Sequence, residues 1–481
     1  MLWLRPNPTD LRSGLSRRQW LQIGLGSSAL ALAGKTPARA REGQGTGLPT
    51  IPGFGRAKSC IFVYLFGGPS HLDIWDMKPG APEGIRGEFK PIATNVPGMD
   101  ITEHLPRLSR MADKYAIVRS MTHGDPSHGS AGHTMMTGRR PRALGEVGPT
   151  PEDFPTFGSV LTKLRPPKAA LPPYVALPWV VTTSTNFVPG HAGGFLGHGM
   201  DPFRVSAPAG SFEFAPPELR QESGFDARRM QSRRVLHDAL ESSPAIDRHT
   251  ASDVDTLYRR AFDLFGNPAV AEAFRIDRED PRLRDRYGLN PYGQSLILAR
   301  RLTEAGVPMV TVYWPERTER EAFNNNGTID PVAVPAWDTH GNHVGSSGNF
   351  PLLKNQLLPP FDLGSSALLE DLSSRGRLDD TLVIFTGEFG RSPRVNGDAG
   401  RDHYGNVFSL MMAGGGIKGG CVHGSSDKIG AYPGTDPVNP GQFAATLYHC
   451  LGIRPDTEIR DGLNRPFRLA EGEPVGALLR G

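Results

Sequence analysis

The chain has 481 residues, of which 53 are basic, 50 are acidic and 38% are hydrophobic. This near-neutral balance contains no block of like charges, which excludes nucleic acid and anionic lipid as main partners. The 58 glycines and 44 prolines indicate long, structured loops, and three cysteines are too few for a disulfide scaffold.

Residues 1–40 resemble a twin-arginine signal peptide. Arg17 and Arg18 precede an aromatic and an aliphatic residue, a weakly apolar run follows at 23–34, and residues 38–40 (Ala-Arg-Ala) fit a signal-peptidase site. The run has about a dozen residues, whereas a bilayer-spanning helix needs roughly twenty. Such a signal is an export address and not an anchor. We therefore expect the twin-arginine export machinery to deliver a mature chain to the bacterial periplasm or cell surface.

The mature chain differs in charge from the precursor. Cleavage before Arg41 would remove six basic residues and one acidic residue, which leaves 47 basic and 49 acidic side chains. No later apolar stretch is long enough to span a membrane, so we expect no integral membrane segment.

Cys60 is interpreted as a buried small apolar residue. A bridge between Cys421 and Cys450 is compatible with an oxidising compartment, and the sequence leaves this pairing open.

Four apolar runs rich in β-forming residues predict strands that are buried on both faces, as in a parallel sheet. They are residues 60–66, 307–313, 381–386 and 407–413. Helical patterns at 294–305 and 368–372 precede two of these strands. This alternation predicts an α/β domain over residues 41–481, a three-layer α/β/α sandwich around a mostly parallel sheet. Residues 217–275 are charged and lack a strand pattern, which predicts a helical insertion.

Polar side chains follow the predicted strands, at the positions where open α/β sheets bind ligands. Imidazoles mixed with carboxylates favour a divalent metal, zinc or manganese first, with calcium, magnesium and iron as alternatives. A hydrogen-bonded cluster that only braces the loops is the alternative interpretation. The candidate ligands are His71 and Asp73 after the first run, Asp338, His340 and His343 after the second, Glu388 after the third, and His403.

These clusters, in this order, resemble the family known as domain of unknown function 1501, within the alkaline-phosphatase-like superfamily that includes sulfatases. Gly387–Pro393 is the most specific stretch, and the resemblance covers most of residues 55–460. The resemblance implies an alkaline-phosphatase-like fold with a metal site at the ends of parallel strands. The matching stretches are Gly67–Pro79, His123–Pro141, Trp337–His343, Thr381–Pro393 and Gly400–Gly420.

Individual positions also resemble sulfatase sites. Asp338 with His340 or His343 resembles an aspartate–histidine metal pair, Glu388 stands where an aspartate–histidine turn is usual, and His403 resembles a late histidine ligand. Residues 135–141 resemble the helical segment that follows the sulfatase nucleophile. Two departures concern the first strand, which ends in Gly67-Gly68 instead of metal-binding aspartates, and the nucleophile position, which holds His128 without a formylglycine motif.

Two functions from different classes follow from these residues. The first is a metal-dependent hydrolase of sulfate or phosphate esters, acting on an anionic ester or polysaccharide without a formylglycine. The metal would lower the pKa of water, while Arg391 or Arg139 would hold the anion. His128 is a candidate nucleophile or general base, and the candidate hydroxyl nucleophiles are Ser127, Ser130 and Thr134.

The second function is a non-catalytic exported protein that binds a polysaccharide on the same scaffold. The glycines Gly67-Gly68 in place of metal-binding aspartates favour it. A mononuclear iron site built from Asp338, His340 and another histidine is a third hypothesis, which the fold context disfavours.

Overall fold

A computed structural model of the chain describes residues 51–166, 171–178, 187–205, 268–314, 336–341 and 348–481, together with Ser232 and Val235. The predicted signal peptide and His343 lie outside the described residues, as does most of the predicted insertion at 217–275. The end of that region is helical, at Pro268–Ala273.

A central sheet of eight strands organises the described part of the chain. Its strand order is β12-β4-β11-β8-β1-β7-β5-β6, and four two-stranded ribbons lie outside it. The strands are β1 (Ser59–Tyr64), β2 (Pro91–Ala93), β3 (Asp100–Thr102), β4 (Tyr115–Met121), β5 (Tyr174–Leu177), β6 (Phe203–Arg204), β7 (Met309–Tyr313), β8 (Thr381–Thr386), β9 (Gly390–Arg391), β10 (His403–Tyr404), β11 (Phe408–Ala413), β12 (Cys421–His423), β13 (Ser425–Ser426), β14 (Pro433–Thr435), β15 (Glu458–Arg460) and β16 (Pro466–Arg468).

Helices cover both faces of this sheet, and none in the described part of the chain is long and apolar enough to cross a membrane. A π-helical turn, Leu353–Leu357, joins two of them. The helices are α1 (His71–Ile74), α2 (His128–Thr137), α3 (Phe157–Leu164), α4 (Pro268–Ala273), α5 (Pro281–Tyr287), α6 (Pro291–Glu304), α7 (Asn349–Leu352), α8 (Leu358–Ser374) and α9 (Pro440–Cys450).

The strand β1 separates two hydrophobic cores. Ile61 and Val63 face the core formed with α6 and α8. Cys60, Phe62 and Tyr64 face the core formed with α2, α3 and α9. Because successive side chains of a strand point to opposite faces, an apolar run without alternation requires helices on both sides. The predicted three-layer α/β/α sandwich is therefore confirmed.

Most of the sheet is parallel, as predicted. The strand β1 pairs in parallel with β7 and β8, β5 pairs in parallel with β6 and β7, and β4 with β12. The predicted strands at 60–66, 307–313 and 381–386 are all present within a few residues of their expected bounds. The helical pattern at 294–305 begins earlier, at Pro291, because the Asn290 side chain accepts the Gly293 N–H and caps the helix there.

The predicted strand at 407–413 exists, but its expected parallel direction is wrong. The strand β11 is antiparallel to both of its neighbours, β8 and β4. A parallel strand would need a crossover back to the opposite edge of the sheet, and the described residues 387–407 contain no helix. The chain instead stays at the carboxyl edge of β8, forms the β9–β10 ribbon there, and returns as β11.

The strand β4 was not predicted from the sequence, because Arg119 and Ser120 interrupt its apolar run.

The sequence left open whether Cys421 and Cys450 form a disulfide bridge. Cys60, Cys421 and Cys450 are free thiols, so the pairing of Cys421 with Cys450 is absent.

Candidate metal centre

Four segments bring polar side chains to the carboxyl edge of the sheet. The chain leaving β4 enters α2 at His128. The chain beyond β7 reaches this edge at residues 337–340, where the Trp337 N–H donates to the Phe66 carbonyl. The turn after β8 carries Glu388, and the β9–β10 ribbon places His403 opposite Arg391. The site is therefore assembled by the sheet from segments that are distant in sequence.

The Asp338 carboxylate lies at the centre of three imidazoles. Its Oδ1 is 3.0 Å from His340 Nε2 and 3.0 Å from His403 Nε2. Its Oδ2 is 3.4 Å from His128 Nε2. The His340 and His403 Nε2 atoms are 2.7 Å apart. His128, Asp338 and His403 place ligand atoms within 4.8 Å of one another, an arrangement that could hold a metal ion.

The Glu388 carboxylate lies behind His128, away from this cluster. Glu388 is fully buried, and its Oε1 accepts the Gly67 N–H at 2.8 Å and contacts His128 Nδ1 at 2.6 Å. Burial opposes the charged imidazole, yet Asp338 and Glu388 together raise the pKa of His128 to about 10. Glu388 was predicted as a metal ligand, and the structure places its carboxylate against His128 Nδ1, on the side of that ring away from Asp338.

The Arg391 guanidinium is fully buried beneath Asp338. It donates to the Gly68 carbonyl at 2.9 Å, to the Arg401 carbonyl at 3.0 Å, and to Gly67 and Asp338. Although burial opposes it, the Arg391 charge, helped by the imidazoles, holds the pKa of Asp338 well below its usual range. Because protein oxygens take these donors, the structure does not turn Arg391 towards a substrate anion.

Gly67 and Gly68 explain why the first strand carries no metal-binding aspartate. A Cβ at Gly67 would lie 2.3 Å from the Asp338 backbone nitrogen, and its φ is +112°. A Cβ at Gly68 would lie 2.4 Å from the Phe389 ring. The backbone of residues 337–338 therefore passes directly over this turn, and side chains at 67 and 68 would block it.

Asp73 and His71 were predicted as metal ligands, but the structure gives them other partners. The Asp73 carboxylate is fully buried, with Arg401 Nε at 2.8 Å, the Ser70 hydroxyl at 2.6 Å and the Asn349 amide at 3.0 Å. His71 is also buried, and its Nε2 contacts the Gly430 carbonyl at 2.9 Å. Both residues brace loops around the site and are not part of the imidazole cluster.

The hydroxyl of Ser130 is buried inside α2 and the loop that follows it. Its Oγ accepts the Gly145 N–H at 3.0 Å, and the Ser130 carbonyl accepts the Thr134 hydroxyl at 2.8 Å. His128, on the same helix, packs between Phe66 and Phe389, with ring centroids at 4.8 and 5.1 Å. His128 therefore belongs to the cluster, whereas the Ser130 side chain points into the protein interior.

His123 also supports the site, although the sequence did not single it out. Its Nε2 donates to the Glu388 carbonyl at 2.6 Å, and its Nδ1 accepts the Asp125 N–H at 3.0 Å. His123 follows the end of β4 by two residues, a position that would have indicated a site residue. Because β4 was not predicted, this position was not recognised in the sequence.

Comparisons with known proteins identify one family and several distantly similar solved structures. The family described as "Protein of unknown function (DUF1501)" matches residues 57–479. No match is found among curated proteins. The chain is distantly similar to solved structures, including the PsFucS1 sulfatase from Pseudoalteromonas sp. at 16% identity, covering 83% of this chain and 68% of that one, with a TM-score of 0.38.

Two further solved structures have similar scores. A protein in the alkaline phosphatase superfamily from Vibrio parahaemolyticus has 10% identity, with 84% of this chain and 71% of that chain covered and a TM-score of 0.39. The phosphonate monoester hydrolase SpPMH from Silicibacter pomeroyi has 13% identity, with 82% and 73% covered and a TM-score of 0.35.

Replacing Arg391 by methionine should destabilise the protein strongly. The substitution leaves the half-buried Asp338 carboxylate and several buried carbonyls without their donor, and a buried acceptor left unsatisfied costs about 1–3 kcal/mol. Urea denaturation in the presence of a chelator measures the free energy of unfolding. Arg394→Met is the control, because Arg394 is exposed on the same loop and should change that free energy by less than about 0.5 kcal/mol. Equal effects of the two substitutions would contradict a bracing role for Arg391.

Proposed function

We propose that this chain, which belongs to the family described as "Protein of unknown function (DUF1501)", is an exported metal-dependent hydrolase of sulfate or phosphate esters. The observation that carries this proposal is the convergence of His128, His340 and His403 on Asp338, with every Nε2 within 3.4 Å of that carboxylate. We assign these four side chains as the ligands of one divalent metal.

The donor set fits zinc or manganese better than calcium or magnesium. Three imidazole nitrogens and one carboxylate suit zinc, manganese or iron, whereas calcium and magnesium prefer oxygen ligands. Burial lowers the pKa of His403, which favours the neutral imidazole that a metal requires. Because the pKa of His128 is raised to about 10, a metal must displace the proton on its Nε2. The Nδ1–H can then be donated to Glu388, which leaves the Nε2 lone pair for the metal.

A metal bound there would lower the pKa of water and neutralise charge on the ester oxygens. The remaining chemistry falls to the protein. Asp338, fixed by Arg391, holds the imidazoles at one point, and Glu388 fixes the ring of His128. Phe66 and Phe389 flank that ring and exclude water from its faces. Because Ser130 and Arg391 are occupied by protein partners, we assign no nucleophile or anion clamp to either of them.

Those same occupied groups favour a second candidate function. A protein that binds an anionic polysaccharide without hydrolysing it would need neither a free nucleophile nor an anion-holding arginine. We keep this as the alternative, and the presence or absence of turnover separates the two functions.

The exported protein should contain about one equivalent of zinc or manganese and hydrolyse some members of a panel of aryl phosphates, sulfates and phosphonates. His340→Ala and His403→Ala should lower metal affinity and turnover together by more than about 100-fold, because losing only an outer partner of a ligand costs 10–100-fold. Elemental analysis and initial rates measure the two effects. His198→Ala is the control, since the side chain of His198 is 92% exposed.

Two outcomes would change the assignment. Stoichiometric metal with no turnover on any ester would move the assignment to the binding protein. Full metal content in both His340→Ala and His403→Ala would show that the cluster is not a metal site.

We also propose that the protein reaches the periplasm or cell surface by the twin-arginine route, on the basis of the N-terminal pattern around Arg17 and Arg18. Replacing both residues by lysine should abolish export, and the intact mass of the exported wild-type protein should correspond to a start at Arg41. Undiminished export of the double variant, measured by immunoblot of cell fractions, would refute this assignment.

A further inference from the structure

Glu388 has a second oxygen that its known partners leave unused. Its Oε1 carries both of its contacts, to Gly67 and His128, while the buried Oε2 has no hydrogen-bond partner within the described residues. An ionised carboxylate in the protein interior is costly unless donors compensate both oxygens. A donor that also secures Oε2 would therefore hold the carboxylate more firmly against His128.

The hydroxyl of Tyr64 is the group placed to supply that donor. Tyr64 ends β1 and pairs in register with Thr386, two residues before Glu388. Its side chain is fully buried, and in the described part of the chain its hydroxyl has no hydrogen-bond partner of its own. Burial, and then the charge of the adjacent Glu388, hold the pKa of the Tyr64 hydroxyl well above its usual value, so the group remains a donor.

The space around this hydroxyl is kept open by α2, the helix that carries His128. A Cβ at Gly132 would lie 3.1 Å from the Tyr64 hydroxyl oxygen, closer than most Cβ contacts. The ring of Tyr64 lies beside Phe66, at a centroid distance of 6.4 Å, and Phe66 in turn packs on His128. Tyr64 therefore lies beneath His128 on the same face of the sheet, with the ring of Phe66 between them.

We infer that Tyr64 is a positioning residue for the metal centre, which acts by donating its hydroxyl hydrogen to the free oxygen of Glu388. The connection runs from Tyr64 to Glu388, from Glu388 to His128 Nδ1, and from His128 Nε2 towards Asp338. This inference rests on the proposed function, because it assigns Tyr64 to the support of a histidine ligand. Tyr64 itself touches neither metal nor substrate.

The test compares zinc affinity in Tyr64→Phe and Tyr313→Phe, measured by competition with a chromophoric chelator. Both substitutions remove one buried hydroxyl, but Tyr313 contacts His191 Nδ1 at 2.6 Å instead of Glu388. Outer partners of metal ligands contribute 10–100-fold to metal affinity, and Tyr64 acts through Glu388. Tyr64→Phe should therefore weaken zinc binding by about 10-fold, at the lower end of that range, while Tyr313→Phe should leave the affinity within about twofold.

A double-mutant cycle separates positioning from general packing. In a Glu388→Gln background, Tyr64→Phe should have no further effect on zinc affinity. The amide oxygen remains with the Gly67 and His128 donors, and the NH2 group that replaces the second oxygen cannot accept the Tyr64 hydroxyl hydrogen. An equal loss in both tyrosine variants, or an undiminished effect of Tyr64→Phe in the Glu388→Gln background, would overturn the inference.

Failure of the proposed function can be told apart from failure of this inference. If the wild-type protein binds neither zinc nor manganese, the proposed function is wrong, and the role of Tyr64 is then read in metal-free protein by ¹⁵N NMR of labelled histidines. Tyr64→Phe should shift the His128 ring nitrogens, and Tyr313→Phe should not. Unchanged His128 resonances in Tyr64→Phe would overturn the inference without any metal being involved.

Discussion

The carboxylate of Asp338 is the constraint on which the carboxyl edge of the sheet depends. It must be compensated where it is partly withdrawn from water, and Arg391 supplies a fixed positive charge for it. That guanidinium is in turn held by the backbone carbonyls of the turn after β1 and the loop before β10. The turn can make this approach only without side chains at Gly67 and Gly68. One anion thus determines the path of several loops.

The sequence predicts much of the scaffold, because buried parallel strands and their helices have strong periodic patterns. It also predicts that Asp338, His340, His403 and Glu388 belong to one edge, because each follows a strand. The predicted parallel direction of β11 was wrong, because an apolar run has the same pattern in both directions. The β9–β10 ribbon that reverses the chain before β11 contains only two pairs of residues, too few to give a sequence pattern. Tertiary pairing alone reveals that Asp73 bonds Arg401 and that Glu388 lies behind His128.

The occupied groups around the cluster restrict what this site can do. Arg391 is committed to protein oxygens and Ser130 to the Gly145 N–H. A hydrolase built on these residues must therefore meet substrate charge with the metal and not with a buried arginine. A binding protein also needs neither a free nucleophile nor a free arginine. The fold alone therefore does not separate the two functions. In the inferred arrangement Glu388 fixes the ring of His128 and Tyr64 fixes Glu388. A metal ligand that must be held in one orientation requires such partners.

X-ray absorption at the zinc edge of the zinc-loaded protein tests the central claim most directly, because it reports the atoms bound to the metal. We expect three imidazole nitrogens and one carboxylate oxygen from the protein, together with one oxygen from water, at about 2.0–2.2 Å. His128→Ala should remove one imidazole contribution from the spectrum. A coordination shell of oxygen atoms alone, or a spectrum unchanged by His128→Ala, would contradict the assignment of this cluster as the metal centre.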